Sequence, residues 1–522
     1  MRRAVQSLVL FLAVLPLACS SDSLTSATCG LGNPCPQGPI SSLQFIPGKD
    51  SLLVGDRARI IVHALDSTGS EVTNIQYQYS SSNTRVAVVD DSGIVTALDT
   101  GVTILTLTGG NKTAHDSLFV FSPVPFALES GGETTCAMQN LGRSLCWGLN
   151  DRGQLGFTSD SVCFSEFPVD TLFHCSIFPG LVNPALRFAS VSAGDSLACA
   201  VMSDSRIACW GDNNFGELGD GTGVKENPVP TVVVGPGGYT AVTAGGHHAC
   251  GLNASGIAYC WGSDFFGQLG DGRRVNSTTP IPVVTGQQTP LLLASISAGY
   301  SHTCGLVPSG AAFCWGNNSR GQLGTGDTTS SDFPVAVTGG HAFSAISASI
   351  DSSRSGISRV NGALLSSFTC GLSGGAAYCW GAGIGAPSTP TLVSGGLSFV
   401  QISAGGAHAC ALTDGGSAYC WGYDGDDQLG NGPGPNNSAT PVAVGGGLTF
   451  TSISAGRRHT CGTATDGTSY CWGSDVFGAL GNTYQAAFRG LPQPIGRGLE
   501  GGSITASVAR SNMAAIRVGA SR

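Results

Sequence analysis

The tripeptide Cys-Trp-Gly occurs seven times in this chain of 522 residues, and these copies contain all seven of its tryptophans. A second cysteine precedes each copy, ten positions upstream in six copies and nine in the fifth. Successive tryptophans are 41 to 65 residues apart, a period that indicates a solenoid, a propeller or another array of repeats. The copies are Cys146-Trp147-Gly148, Cys209-Trp210-Gly211, Cys260-Trp261-Gly262, Cys314-Trp315-Gly316, Cys379-Trp380-Gly381, Cys420-Trp421-Gly422 and Cys471-Trp472-Gly473.

Each repeat contains four strand-like pieces, which in the third copy are residues 239–245, 248–252, 258–262 and 282–284. Successive residues of a strand face opposite sides, so Cys250 and Cys260 share one face of the predicted hairpin. Both faces of the sheet are apolar, and each sheet must therefore be covered on both sides. A ring of blades provides that cover, whereas an open sandwich does not.

The composition supports an all-β chain and excludes one class of partner. Glycine accounts for 78 residues and charged residues for only 11%, which is typical of a protein with many tight turns. The net charge is -9, and no basic run exceeds two residues beyond the N-terminus. Nucleic-acid binding needs clustered lysine and arginine, so no nucleic-acid partner is expected.

Cysteine parity predicts a disulfide-bonded, exported protein. The chain has 19 cysteines, and the 18 that follow Cys19 form an even set. Zinc binding is the alternative, but zinc ligands are commonly separated by two to four residues, whereas eight or nine separate these cysteines. Disulfides persist in oxidising compartments. The predicted pairs are Cys136–Cys146, Cys199–Cys209, Cys250–Cys260, Cys304–Cys314, Cys370–Cys379, Cys410–Cys420, Cys461–Cys471, Cys163–Cys175 and Cys29–Cys35.

The first 18 residues have the features of a signal peptide. Arg2 and Arg3 precede an apolar stretch at 8–14 that is too short for a stable membrane span. The following Ala18-Cys19 resembles the bacterial lipoprotein signal, although Pro16 departs from its usual aliphatic residue. This resemblance implies lipidation of Cys19 and a place at the bacterial cell envelope or surface; ordinary signal cleavage is the alternative. Residues 19–40, rich in small and polar residues, are predicted to form a tether.

Residues 41–122 are predicted to form an immunoglobulin-like β-sandwich. β-branched runs recur there with turn residues roughly every 8–12 positions, the spacing of sandwich strands. The stretch resembles the bacterial immunoglobulin-like domain of group 2, with Tyr79 where that family often has tryptophan. The matching segments are 79–83, 86–90, 92–97 and 101–104.

The repeats themselves resemble the regulator of chromosome condensation family. Three motifs carry the resemblance: Ser/Thr-Ala-Gly, as at 243–245; His-x-Cys, at His248, His302, His408 and His459; and a Gly-Gln-Leu-Gly turn after Cys-Trp-Gly, as at 267–270. The resemblance implies a seven-bladed β-propeller over 123–522. The fifth copy lacks the turn, and 157–187 and 349–363 are predicted insertions. Residues 504–518 are expected to form a half-repeat that closes the ring by pairing with the first blade.

Two recurring sets of polar residues are interpreted as structural. The four histidines before cysteine are expected to make blade hydrogen bonds rather than a ring of metal ligands. An Asn or Asp two positions after each Trp-Gly is expected to cap a turn by bonding the backbone two residues on, with calcium binding as the alternative. No nucleophile elbow and no phosphate loop occurs. No catalytic residue, metal or cofactor is therefore predicted.

The predicted function is a non-catalytic binding scaffold, a monomer that holds an unidentified protein partner and touches the membrane only through its lipid anchor. Export argues against nucleotide exchange on a small nuclear GTPase, the best-known activity of the family. The alternative is an extracellular enzyme acting on glycan or peptide in the propeller funnel. Loop residues that differ between repeats are the predicted contacts, since arginine and aromatic residues anchor interfaces. They are Arg152, Phe215, Phe266, Arg320, Phe477, Tyr300 and Arg457.

Overall fold

The structure is a computed structural model with two compact units, Met1–Val120 and Phe121–Arg522. The described residues contain no α-helix, and so none that is long and apolar enough to cross a membrane. The predicted signal peptide, Cys19, Cys29, Cys35 and the predicted half-repeat at 504–518 lie outside the described residues. The structure describes residues 39–46, 51–53, 56–67, 70–99, 101–121, 127–139, 142–159, 162–165, 171–350, 367–382, 387–434, 437–482 and 488–495.

The first unit packs antiparallel strands around one apolar core. In the long strand at 101–109, Thr103, Leu105 and Leu107 are buried, whereas Val102 and Ile104 are exposed, the period-two pattern of a half-covered sheet. The sheets run β2-β9-β8-β5, β3-β7-β6 and β1-β4. The immunoglobulin-like identity of this unit stays a prediction. Its strands are β1 (Ser42–Ile46), β2 (Ser51–Leu53), β3 (Arg57–Arg59), β4 (Ile61–Leu65), β5 (Tyr77–Ser81), β6 (Ala87–Val89), β7 (Ile94–Ala97), β8 (Gly101–Gly109) and β9 (Lys112–Phe121).

The described residues of the second unit form seven antiparallel sheets in chain order, called blades 1 to 7 below. Six are four-stranded meanders, and blade 1 carries a fifth strand. Blades 1 to 3 contain β10 (Ala127–Ser130), β11 (Thr134–Met138), β12 (Ser144–Leu149), β13 (Val162–Ser165) and β14 (Thr171–Val182); β15 (Phe188–Ala193), β16 (Leu197–Met202), β17 (Ile207–Asp212) and β18 (Glu226–Val232); and β19 (Tyr239–Ala244), β20 (His248–Asn253), β21 (Ala258–Gly262) and β22 (Ser277–Pro282).

Blades 4 to 7 repeat the same order of four strands. They contain β23 (Ser295–Ala298), β24 (His302–Leu306), β25 (Ala312–Gly316) and β26 (Ser331–Ala336); β27 (Ala345–Ala348), β28 (Ser367–Ser373), β29 (Ala376–Ala382) and β30 (Thr391–Leu392); β31 (Gln401–Ala404), β32 (His408–Leu412), β33 (Ala418–Gly422) and β34 (Ser438–Ala443); and β35 (Phe450–Ala455), β36 (His459–Ala464), β37 (Ser469–Ser474) and β38 (Phe488–Pro494).

The blades form a closed ring. The first strand of each blade contacts the first strands of its two neighbours, and the cycle closes where β35 of blade 7 meets β10 of blade 1. Blade 1 draws all its strands from 127–182, so the described residues close the ring without a strand from the C-terminus. The prediction of an all-β, seven-bladed propeller is confirmed. The predicted insertion at 157–187 contributes the extra strand β13, and most of 349–363 lies outside the described residues.

The core lies in the seams between blades. All seven tryptophans are at most 1% exposed. At the seam between blades 2 and 3, Trp261 packs with Leu197, Cys199 and Ile207 of the preceding blade. Each seam therefore covers one face of two blades, which is why both faces of every repeat are apolar.

Each second and third strand form a hairpin with a disulfide across it. The two cysteines stand directly opposite in the register, and their Cα atoms are 4.1 Å apart in all seven hairpins. An eighth disulfide, Cys163–Cys175, joins β13 to β14.

Candidate functional site

The variable residues of the repeats gather at one end of the ring. In blade 2, Leu197 at the start of β16 pairs with Gly211 near the end of β17, and the N–H of Asp212 donates to the carbonyl of Ser196 at 2.9 Å. The turn between first and second strands and the loop between third and fourth strands therefore lie at the same end. We call this end the loop face.

Across the residues that the structure describes, one hydrogen bond recurs in the long loop of six of the seven blades, all except blade 5. The Asn or Asp after Trp-Gly accepts a hydrogen bond from the buried leucine N–H five residues on, at 2.9–3.0 Å. The predicted bond to the backbone two residues on is therefore wrong, because the Gly-Gln-Leu-Gly turn curls back over the side chain. The bonded pairs are Asn150–Leu155, Asn213–Leu218, Asp264–Leu269, Asn318–Leu323, Asp424–Leu429 and Asp475–Leu480.

The same turn receives the tryptophan of the next blade. The indole N–H of Trp261, for example, donates to the carbonyl of Glu217 at 2.8 Å, and five other tryptophans make the equivalent bond. Among the described residues the indole nitrogen of Trp421 has no partner. Trp421 belongs to blade 6, and the preceding blade 5 lacks the Gly-Gln-Leu-Gly turn that would supply the acceptor.

The four histidines before cysteine link neighbouring blades. Each Nε2 lies 2.8–2.9 Å from a threonine hydroxyl of the next blade, and all four of these histidines are fully buried. Burial lowers the pKa of His248, His302 and His408 to about 3 and that of His459 to about 4, so all four are neutral at pH 7. The bonded pairs are His248–Thr303, His302–Thr369, His408–Thr460 and His459–Thr135.

A cluster of aromatic and ionisable residues lies on the loop face at the seam of blades 2 and 3. Phe215 contacts His247 and Phe265 edge to face, with ring centroids 5.6 and 5.2 Å apart. Tyr300 of blade 4 places its hydroxyl 3.2 Å from His247 Nε2. Beneath these rings, Glu217 Oε1 lies 3.5 Å from His247 Nδ1. We call Asp212, Glu217 and His247 the seam cluster.

Blades 6, 7 and 1 carry a second charged group on the same face. Arg458 Nε donates to Glu133 Oε1 at 2.9 Å, and its Nη1 lies 3.7 Å from Asp426 Oδ1. Arg457 approaches the same Glu133 oxygen at 3.9 Å. The Glu133 carboxylate raises the pKa of Arg458, and burial raises that of Asp426 to about 6. Two arginines and two carboxylates thus form a compact, largely buried network.

The predicted partner contacts all lie on the loop face but differ in exposure. Phe266 is 43% exposed, whereas Phe215 is half-buried under its aromatic neighbours. Phe477 packs edge to face on Phe173 of the blade 1 insertion, with centroids 5.4 Å apart. Arg457 belongs to the charged network above. The remaining three, Arg152, Arg320 and Tyr300, are half-buried.

The seam cluster and Phe265 were not predicted from the sequence. Phe265 is 59% exposed, more than its predicted neighbour Phe266. Glu217 carried a visible signal, since four other repeats have glutamine at this turn position. His247 directly precedes His248, a histidine of the repeat motif, and nothing in the sequence distinguishes its role from that of His248.

Models of the regulator of chromosome condensation (RCC1) repeat match five segments of this chain, 188–217, 239–268, 294–322, 399–428 and 450–479. A second model with this description matches 204–252, 255–306, 309–353 and 415–462. The ultraviolet-B receptor UVR8 of Arabidopsis thaliana is 30% identical over 314 residues, covering 57% of this chain and 68% of the receptor. The E3 ubiquitin-protein ligase HERC2 of Homo sapiens is 27% identical over 366 residues, covering 69% of this chain but only 7% of the ligase.

Solved structures share the fold. Human WBSCR16 superposes with a TM-score of 0.54 at 18% identity, over 69% of this chain and 92% of that one. Yeast RCC1 (Prp20), solved with Kap60, gives a TM-score of 0.55 at 17% identity, over 72% of this chain and 85% of the match. At this identity the likeness concerns the propeller architecture.

Proposed function

Because the chain belongs to the regulator of chromosome condensation repeat family, we propose that it is a non-catalytic scaffold that holds a protein partner on the loop face. Relatives support a binding role: one is a receptor by name, and yeast RCC1 (Prp20) was solved with Kap60 bound to it. Fold alone does not identify a partner. The side chains exposed on the loop face are therefore the guide to what this chain binds.

The observation that carries the proposal is a pair of adjacent exposed phenylalanines. Phe265 and Phe266, 59% and 43% exposed, stand in the loop between β21 and β22. Exposed aromatic side chains on a rigid support are typical interface anchors, because they bury much area at a small entropic cost. Phe215 supplies part of that support, since its ring packs against Phe265.

The scaffold is further proposed to be exported and lipid-anchored at the bacterial cell envelope. The sequence Ala18-Cys19 after an apolar stretch supports the anchor, and eight disulfides among the described residues suit an oxidising compartment. Expression of the full chain in a Gram-negative host tests this. Wild-type protein should fractionate with membranes, and Cys19→Ala protein should be released from them; membrane association of both proteins would contradict the lipid anchor.

Partner binding is tested with the full chain as bait in envelope extracts and a double variant, Phe265→Ala with Phe266→Ala. A partner held by these rings should be lost, with each ring contributing about 1–2 kcal/mol. Leu292→Ala is the matched control. Leu292 is 53% exposed and bridges Ile257 in the turn between second and third strands, at the opposite end of the ring.

If Leu292→Ala lowers retention of the partner as much as the double variant does, binding at the loop face is contradicted. The alternative of an enzyme is tested on the same preparation with envelope glycans and peptides as substrates. Turnover by wild-type protein would replace the scaffold proposal.

A further inference from the structure

One turn residue of blade 2 is a glutamate where four other blades have glutamine. Gln154, Gln268, Gln322 and Gln428 each accept a backbone N–H through Oε1 at 2.8–2.9 Å. Glu217 makes this bond through Oε2, which accepts the N–H of Phe215 at 2.7 Å. Its second oxygen therefore takes the place of an amide nitrogen. In blade 4 that nitrogen donates to the next blade, to the hydroxyl of Ser367 at 3.3 Å.

The position across the seam has changed as well. At the position equivalent to His247 of blade 3, blades 2, 4 and 5 have serine, namely Ser196, Ser301 and Ser367. The imidazole of His247 therefore stands where other blades have a hydroxyl that could donate, and the carboxylate of Glu217 stands opposite it in place of an amide. Asp212, at the end of β17, is fully buried beside them. The ligand atoms of Asp212, Glu217 and His247 lie within 4.8 Å of one another.

The buried state of Glu217 points to a bound cation. Its side chain is 0% exposed, and its Oε1 has no hydrogen-bond partner among the described residues, although His247 Nδ1 lies 3.5 Å away. A carboxylate oxygen in that setting costs free energy unless a positive charge or a donor is supplied. The seam cluster offers two carboxylates and one imidazole, and Asp212 Oδ1 also accepts a hydrogen bond from Asn214 Nδ2.

The imidazole is held in an orientation that suits a ligand. Nε2 of His247 lies 3.2 Å from the hydroxyl of Tyr300. An Nε2–H that donates to this oxygen leaves the lone pair of Nδ1 directed at Glu217. Histidine ligands in proteins commonly have such an outer hydrogen bond, which fixes the tautomer. Nδ1 has no hydrogen-bond partner among the described residues.

We propose that Asp212, Glu217 and His247 bind a divalent transition-metal ion at the seam of blades 2 and 3, with Zn²⁺ as the probe. Three atoms mutually within 4.8 Å all lie within about 2.8 Å of one point (4.8 Å divided by √3), so shifts of about 0.6–0.8 Å give the 2.0–2.2 Å of Zn–N and Zn–O bonds. Mixed imidazole and carboxylate ligands suit such ions, whereas Ca²⁺ prefers six to eight oxygens. Three protein ligands leave a further coordination position open.

The test uses the full, disulfide-bonded chain after removal of metal with a chelator. Zn²⁺ is titrated in competition with a chromophoric chelator, and the thermal midpoint is recorded with and without Zn²⁺. The variants Glu217→Gln and His247→Ser introduce residues that other blades carry, so they are expected to fold. His174→Ser removes an exposed imidazole elsewhere and is the control for adventitious binding.

Wild-type and His174→Ser protein should bind one equivalent of Zn²⁺, with a raised thermal midpoint. Glu217→Gln and His247→Ser should each weaken binding by at least about tenfold, and Tyr300→Phe by about tenfold through the outer hydrogen bond. Equal affinity of wild-type and Glu217→Gln protein would overturn the site. Mg²⁺ binding that matches Zn²⁺ would overturn its assignment to a transition metal. Absence of Zn²⁺ binding to wild-type protein would overturn the proposed metal site.

Discussion

Thr135→Val should weaken the one seam that no chain connection bridges within the described residues. Blade 7 meets blade 1 there, and the Thr135 hydroxyl donates to the carbonyl of Ala479 at 2.9 Å. The same oxygen lies 2.9 Å from His459 Nε2, which then donates to it. Valine keeps the volume but removes both bonds. The Ala479 carbonyl retains the indole N–H of Trp147, so the main loss is one orphaned, fully buried imidazole N–H. That loss should cost about 1–3 kcal/mol.

Urea unfolding of the full chain followed by tryptophan fluorescence measures this cost, and hydrogen exchange locates it. Thr303→Val is the matched control, because Thr303 bonds His248 and the carbonyl of Gln268 in the same way, at 2.8 and 2.9 Å. Its seam lies between blades 3 and 4, which residues 283–294 connect. Thr135→Val should therefore speed amide hydrogen exchange in β10, β11 and β36 at urea concentrations too low to unfold the whole chain. Equal local opening in both variants, or a cost below about 0.5 kcal/mol for Thr135→Val, would refute the reasoning.

Three further changes test the seams and the loops. His302 has its pKa lowered to about 3 by burial, so only the unfolded chain takes up its proton between pH 6.5 and that value. The stability of wild type relative to His302→Gln should then fall by about 1.4 kcal/mol per pH unit on acidification from pH 6 to 4, and stay constant above pH 7; parallel pH profiles would contradict this. Replacing Cys250 and Cys260 together by alanine should cost about 2–3 kcal/mol in urea unfolding. Asp264→Ala should cost about 1–3 kcal/mol, because the buried Leu269 N–H loses its acceptor, whereas Asp264→Asn should cost less.

The parts of the fold predicted from the sequence depend on local patterns. The ten-residue spacing of Cys250 and Cys260 indicates a hairpin, and strand alternation puts both cysteines on one face. The bond from Asp264 to the N–H of Leu269 was missed because it depends on how the whole loop curls, which no two-residue rule describes. Phe266 was predicted and Phe265 was not, since exposure of neighbouring loop residues depends on what packs beneath them. The burial of Phe477 could not be predicted from its own repeat either, because the insertion that covers it lies in blade 1.

The chemistry of this ring depends on pairs of residues across seams. At the seam of blades 6 and 7, the residue before the second strand is Arg458, which meets Asp426 on one side and Glu133 on the other. With Arg457, this gives two positive and two negative side chains, all less than a fifth exposed, so their charges balance within the fold. At the seam of blades 2 and 3, the corresponding position holds His247 opposite Glu217, with Asp212 beside them, and two carboxylates face one imidazole. The arginine network pairs its own charges, whereas Oε1 of the buried Glu217 has no hydrogen-bond partner among the described residues and is available to a cation. These two seams therefore differ in role: the network of Arg457 and Arg458 joins blades, and the seam cluster is the place to look for a bound cation.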